Sequence, residues 1–192
     1  MKQEYSYWMK HALVQAEKAY KAKEIPIGAI VVHKDKIIGR GHNQREQLND
    51  PTAHAEIIAI TAAANTLGEW RLDDCFLYVT KEPCAMCAGA IVNARFKMVI
   101  FGCYDEEEGC CGSLYQLCGD PRFKTKVAVK GGVMENQSLV MLQDFFKVRR
   151  NASLFAMNME RWQSLVECAA REMRYILWIS GVRIPLSPLT NN

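Results

Sequence analysis

No stretch of this 192-residue chain is apolar enough, for long enough, to cross a bilayer. The one candidate, residues 175–189, is broken by Arg183, Pro185 and Pro188. The first residues, Met1-Lys2-Gln3-Glu4-Tyr5, carry no apolar run of the kind a signal peptide needs. Internal repeats and low-complexity tracts are absent too, which excludes repeat arrays and tracts too biased to pack a core. Strong charge of one sign is missing: the formal net charge of +3 permits an anionic partner without demanding one. Cysteine is plentiful at eight residues, but its uneven spacing is not a disulfide framework, and a chain of this length needs none. Together these features point to a single soluble domain in a reducing cytoplasm, with free or metal-bound thiols.

Apolar periodicity then divides the chain. Tyr5, Trp8, Met9, Ala12, Leu13, Ala16, Ala19 and Tyr20 recur at helical spacing. β-Branched runs at residues 28–33 and 36–41, joined by Lys34-Asp35, predict a hairpin. A polar loop over residues 43–51 ends at Pro51, and a helix is expected from about Thr52 to Asn65. Further strands are expected at residues 75–80, 98–102 and 125–130, with helices at 84–94 and 134–150. The alternation indicates an α/β layered fold around one sheet. Met159, Trp162, Val166, Ala169, Ala170, Met173, Ile176 and Leu177 predict a separate amphipathic helix over about 158–178, stopped by Gly181 and Pro185.

Two short clusters carry chemistry: His54-Ala55-Glu56 and Pro83-Cys84-Ala85-Met86-Cys87. His54, Cys84 and Cys87 make three zinc ligands, which leave a fourth position open for water, as in catalytic rather than structural sites. Cys84 and Cys87 are three apart, so on a helix their sulfurs share a face. A helix N-terminus favours their thiolate forms. His54 and Glu56 are two apart and can serve one centre only off the end of a helix. Glu56 is then a carboxylate beside the ligands, suited to general acid–base work on a metal-activated water. The H-x-E…P-C-x-x-C pattern is the signature of zinc deaminases that act on nucleobases. Bland alternatives are a redox pair and a structural site closed by Cys103 or Cys110. His11, His33 and His42 fit surface or core roles, and Cys75, Cys103 and Cys118 fit packing roles. Cys110 and Cys111 have no evident chemical role.

The residues around these clusters resemble the bacterial tRNA adenosine deaminase family, within the cytidine deaminase superfamily. The resemblance runs through Ile25-Pro26-Ile27-Gly28-Ala29, Gly41-His42-Asn43, Asp50-Pro51-Thr52-Ala53-His54-Ala55-Glu56 and Leu77-Tyr78-Val79-Thr80. It continues through Glu82-Pro83-Cys84-Ala85-Met86-Cys87-Ala88-Gly89-Ala90, Gly112-Ser113-Leu114 and Asp144-Phe145-Phe146 with Arg149-Arg150, covering about residues 3–150. It implies a three-layer cytidine-deaminase-like fold: a central mixed five-stranded sheet with helices on both faces, here with an extra C-terminal helix. It implies one Zn2+ per subunit held by His54, Cys84 and Cys87, with Glu56 as proton shuttle and Asn43 on the flipped nucleotide. It implies a cytoplasmic homodimer converting a tRNA wobble adenosine to inosine, with Lys147, Arg149 and Arg150 meeting the anticodon stem-loop.

Local charge agrees with that last expectation. Residues 121–150 hold seven Lys or Arg against two Asp or Glu, a pattern that suits phosphate contacts and equally a solvated basic face. The chain departs from the family in two places. Asp105-Glu106-Glu107-Glu108 is more acidic than usual, and residues 151–192 extend beyond the usual end. The expected organisation is a zinc-dependent deaminase domain over residues 1–150 and a C-terminal helical extension over 151–192. Two alternative functions remain at this level: deamination of a free nucleobase or nucleoside such as guanine or cytidine, and a non-enzymatic zinc-containing RNA-binding module.

Overall fold

A computed structural model describes residues 4–179 of the chain, the side chains of 152–158 and 169–179 excepted. The stop expected at Gly181 and Pro185 lies outside the described residues. The chain divides into two compact units, Met1–Phe146 and Lys147–Asn192.

The first unit is built on α1 (Tyr5–Lys21), β1 (Gly28–His33), β2 (Lys36–His42), α2 (Arg45–Leu48) and α3 (Ala55–Leu67). It continues with β3 (Phe76–Lys81), α4 (Ala85–Ala94), β4 (Met98–Cys103), β5 (Ala128–Lys130) and the start of α5 (Glu135–Ile179). The five strands form one mixed sheet in the order β2-β1-β3-β4-β5. β1 pairs antiparallel with β2 and β3, whereas β3–β4 and β4–β5 are parallel.

Strand side chains alternate between faces, and the sequence uses the alternation to fill two cores. Ala29, Val31, Leu77, Val79, Val99 and Phe101 face α3 and α4, packing on Ala55, Ala59, Ala63, Ala88 and Ile91. The intervening Ile30, Val32, Tyr78 and Ile100 face α1, packing on Trp8, Met9 and Ala12. The result is three layers: helix, sheet, helix. α1 and α3 lie so close to the sheet that a side chain is excluded at the crossing. A Cβ on Gly28 would enter the backbone of Ala12 and Ala16 in α1, and one on Gly41 the backbone of Ala55 and Ala59 in α3.

The hairpin forms as expected, with Lys34 and Asp35 both left-handed at φ 48° and 56°, the twist that suits a two-residue turn. α2 forms within the stretch expected as polar loop, and three boundaries differ from the sequence reading by three residues or more. α3 begins at Ala55, not Thr52, because Asp50 Oδ1 accepts hydrogen bonds from the Thr52 N–H at 2.8 Å and its hydroxyl at 2.7 Å. That side-chain turn holds residues 50–52 out of the helix. β5 is shorter than expected because the Val127 N–H donates to the Cys118 carbonyl instead of to the sheet. The helices expected over 134–150 and 158–178 are one helix, α5. Residues 151–157 contain no glycine or proline to stop it.

Within the first unit, Ser138, Leu142 and Phe145 of α5 are buried. Phe145 packs edge-on against Tyr20, whose hydroxyl donates to Asp144 at 2.6 Å. In the second unit the described apolar side chains Met159, Trp162, Leu165 and Val166 are exposed, Trp162 by 69%. No helix among the described residues is long and apolar enough to cross a membrane.

Candidate metal centre

The two chemical clusters meet at two helix N-termini. His54 is the N-cap residue of α3 and Cys84 that of α4, each with extended backbone angles. Cys87 and Glu56 sit in the first turns of α4 and α3. The angular separation of His54 and Glu56 is resolved this way: one precedes the helix and the other belongs to it. α4 follows the carboxyl end of β3, where open α/β sheets place their chemistry.

The ligating atoms of His54, Cys84 and Cys87 all lie within 4.8 Å of one another. His54 Nδ1 is 3.7 Å from Cys84 Sγ and 3.6 Å from Cys87 Sγ. Among the described residues no other His, Cys, Asp or Glu joins this cluster, so Cys103 and Cys110 do not close it. The donor set of one imidazole and two thiols fits zinc with a position to spare. The protons already compete there. A hydrogen bond from Cys87, then one from His54, holds Cys84 down to about 3, against the effect of burial. Cys87 is pushed up, first as the donor to Cys84 and then by burial. His54 is raised, first by its hydrogen bond to Cys84. A divalent cation would displace these shared protons.

Glu56 is 4% exposed. Burial raises its carboxyl above the ordinary carboxylate range, and the pull of its own backbone N–H and of His54 offsets this only in part. A carboxylate raised in this way is suited to take up and return a proton.

Asn43 lies at the end of β2 and is buried. Its backbone N–H donates to Ile27 and the next residue's N–H to Ala53, the neighbour of His54, both at 3.0 Å. Lys147, Arg149 and Arg150 are exposed on α5, at the start of the second unit. Of the other histidines, His11 packs edge-on against Tyr7 and tilted against Trp8, and His42 hydrogen-bonds Gln44 at 3.1 Å.

Two carboxylates escaped the sequence reading. Glu82, buried at the exit of β3, accepts hydrogen bonds from the backbone N–H groups of Asp105 at 3.1 Å, Cys111 at 2.9 Å and Ser113 at 3.0 Å, and from the Ser113 hydroxyl. Pro83 accepts from the Cys110 N–H at 2.8 Å, and Lys81 pairs with Asp105 at 2.6 Å. The loop after β4 is thus tied to the residues that lead into Cys84. Asp105 is committed inward, and Glu106, Glu107 and Glu108 remain exposed. Glu24, buried after α1, accepts from Asn43 and from the Gln47 backbone. A single Glu in a polar stretch reads as surface, so neither had a sequence signal beyond the motif beginning at Glu82.

A half-open His/Cys/Cys set with a buried acid beside it, on a three-layer mixed sheet, is the arrangement of a hydrolytic deaminase. The chain belongs to the MafB19-like deaminase family, whose model matches residues 3–150. It is 45% identical over 143 residues to the tRNA-specific adenosine deaminase of Bacillus subtilis (strain 168), covering 74% of this chain and 89% of that one. Its fold matches a structure solved in studies of A-to-I editing by tRNA:A34 deaminases at the wobble position of transfer RNA. That match has a TM-score of 0.68 and 40% identity, over 71% of this chain and 99% of the other. The structure of a guanine deaminase from Bacillus subtilis matches with a TM-score of 0.51 and 42% identity, over 53% of this chain and 66% of that one.

Proposed function

We propose that this chain hydrolyses the wobble adenosine of a tRNA anticodon to inosine, releasing ammonia. The observation that carries the chemistry is Glu56, a buried carboxylate beside three metal-ligating atoms that is not itself one of them. A purely structural or RNA-binding zinc module would have no use for it. His54, Cys84 and Cys87 would hold one Zn2+ per subunit. Zinc bound there supplies the Lewis acidity that makes water a nucleophile near neutral pH. Glu56 accepts a proton from the attacking water and passes it to the purine ring nitrogen. It then takes the proton of the hydroxyl newly bonded to the purine carbon and gives it to the amino group, so that the carbon–nitrogen bond breaks, ammonia leaves and the carbonyl of inosine forms. Asn43 binds the nucleotide flipped out of the anticodon loop.

The tRNA substrate is supported by the names and coverage of the relatives. The basic residues Lys147, Arg149 and Arg150 are read as contacts to the stem-loop phosphates. We read the protein as a cytoplasmic homodimer, with residues 1–150 as the deaminase domain and 151–192 as a helical extension. The guanine deaminase likeness favours a second reading, deamination of a free base. One experiment separates the two. The zinc-loaded protein is incubated with an anticodon stem-loop carrying a wobble adenosine and, separately, with adenosine, cytidine and guanine. Inosine in the stem-loop is expected, with the free compounds untouched. Guanine turned over as efficiently as the stem-loop would replace the tRNA reading.

A further inference from the structure

Glu24 is the most thoroughly enclosed acid in the first unit, at 1% exposure. It lies just past α1, and its backbone N–H donates to Ala19 at 2.9 Å, so the main chain is held. Its two oxygens have different partners. Oε1 accepts from the Gln47 backbone N–H at 2.7 Å, and Oε2 accepts from Asn43 Nδ2 at 3.0 Å. An ionised carboxylate can only accept hydrogen bonds. The Asn43 amide therefore has to turn an N–H toward Glu24. Flipped over, it would set its own oxygen against Oε2, two acceptors facing each other in a buried place, which is costly. The Asn43 main chain is also fixed, through Ile27 on one side and, at the next residue, Ala53 on the other. Among the described residues its Oδ1 accepts no hydrogen bond.

We propose that Glu24 is a positioning residue that fixes which way the Asn43 amide faces the substrate. This rests on the reading of Asn43 as a nucleotide-binding residue. With one N–H given to Glu24, Asn43 offers its Oδ1 and its second N–H in a set order, and the pocket has a defined donor–acceptor pattern before any nucleotide arrives. An amide free to turn over would present both patterns and would have to be ordered during binding.

Glu24→Gln tests this because the two sites compete for its single oxygen. The Gln47 N–H claims that oxygen, the new amide nitrogen then faces Asn43, and Asn43 turns over. With the zinc-loaded full chain and the anticodon stem-loop, Glu24→Gln should lower kcat/KM about tenfold, the worth of one charged hydrogen bond. Its metal content should be unchanged. Asn43→Ala should lose at least as much, and the double variant should fall within about twofold of Asn43→Ala, because Glu24 acts only through Asn43. Losses that multiply would overturn the proposal, as would wild-type kcat/KM in Glu24→Gln.

Two further measurements cover a variant that folds poorly and a substrate that is wrong. The pair Glu24→Gln with Asn43→Asp restores one donor–acceptor contact, so it should fold and hold zinc. It should still be impaired, since the new carboxylate offers no N–H to the substrate; full activity would sink the idea. Water exchange of the Asn43 side-chain amide, followed by NMR in 15N-labelled protein without substrate, should quicken in Glu24→Gln. An unchanged exchange rate would count against Glu24 whatever the substrate is. Absence of stem-loop turnover in the wild type would instead remove the tRNA reading.

Discussion

Cys84 and Cys87 form one pair of neighbouring thiols, and Cys111 and Cys118, whose sulfurs lie 3.5 Å apart, form another. The chemistry of the two pairs diverges because their surroundings do. The first pair stands at the N-terminus of α4, facing an imidazole at the N-terminus of α3. The second is packed into the core, within the cluster of buried apolar residues under the sheet. One thiol of the first pair is held down to about 3. In the second, Cys111 is pushed up, first by its hydrogen bond to Cys118 and then by burial. Burial likewise lifts Cys75 and Cys103 to about 11. Cysteine is a ligand where helix ends and a histidine converge on it, and a small packing residue where they do not.

The comparison is broken most directly at Cys84. Cys84→Ala should lose nearly all bound zinc, measured by elemental analysis, and all detectable turnover. Full zinc occupancy in that variant would mean the centre is built elsewhere. Glu56→Gln should keep zinc and the fold while kcat falls about 10²–10⁴-fold, the usual worth of one general acid–base. Loss of zinc there would make Glu56 a ligand and undo its assigned role.

Glu82 joins the two regions, since the loop it holds contains Cys111. Glu82→Ala leaves the N–H groups of Asp105, Cys111 and Ser113 without their acceptor. Urea unfolding should show a loss of about 2–4 kcal/mol, with some zinc retained. A change below about 0.5 kcal/mol would show that water replaces the carboxylate easily. Cys118→Ala should cost only about 1 kcal/mol, for a small cavity, with zinc content and kcat unchanged. Loss of zinc in Cys118→Ala would erase the distinction between the two pairs. The smallest effect on the centre is expected from ending the chain at Arg150. The shortened protein should keep zinc and deaminase activity while becoming less stable or less soluble. A folded but zinc-free product would show that residues 151–192 help to build the site.

How much of this was legible in advance depended on the range of each interaction. The hairpin, the first helix and the strands were readable because periodicity is local and each buried face announces itself every two or every three to four residues. The ligand set was readable because a metal needs particular atoms, and few residue types supply them. The start of α3 was misjudged by three residues because one Asp50 side chain holds Thr52 out of the helix. The two expected C-terminal helices are one because no glycine or proline stands between them over residues 151–157.

The chain by itself determined the strands, most of the helices, the clusters His54-Ala55-Glu56 and Cys84–Cys87, and through them the class of chemistry. Local sterics, side-chain alternation and ligand type are all written residue by residue. Tertiary structure alone decided that His54 and Cys84 are caps on two facing helices, that Glu82 gathers a loop 23 to 31 residues away, and that Glu24 reaches Asn43. Those outcomes depend on burial, and burial is a property of what surrounds a residue, so an acid that reads as surface in sequence can become a fixed acceptor only once the layers have closed over it.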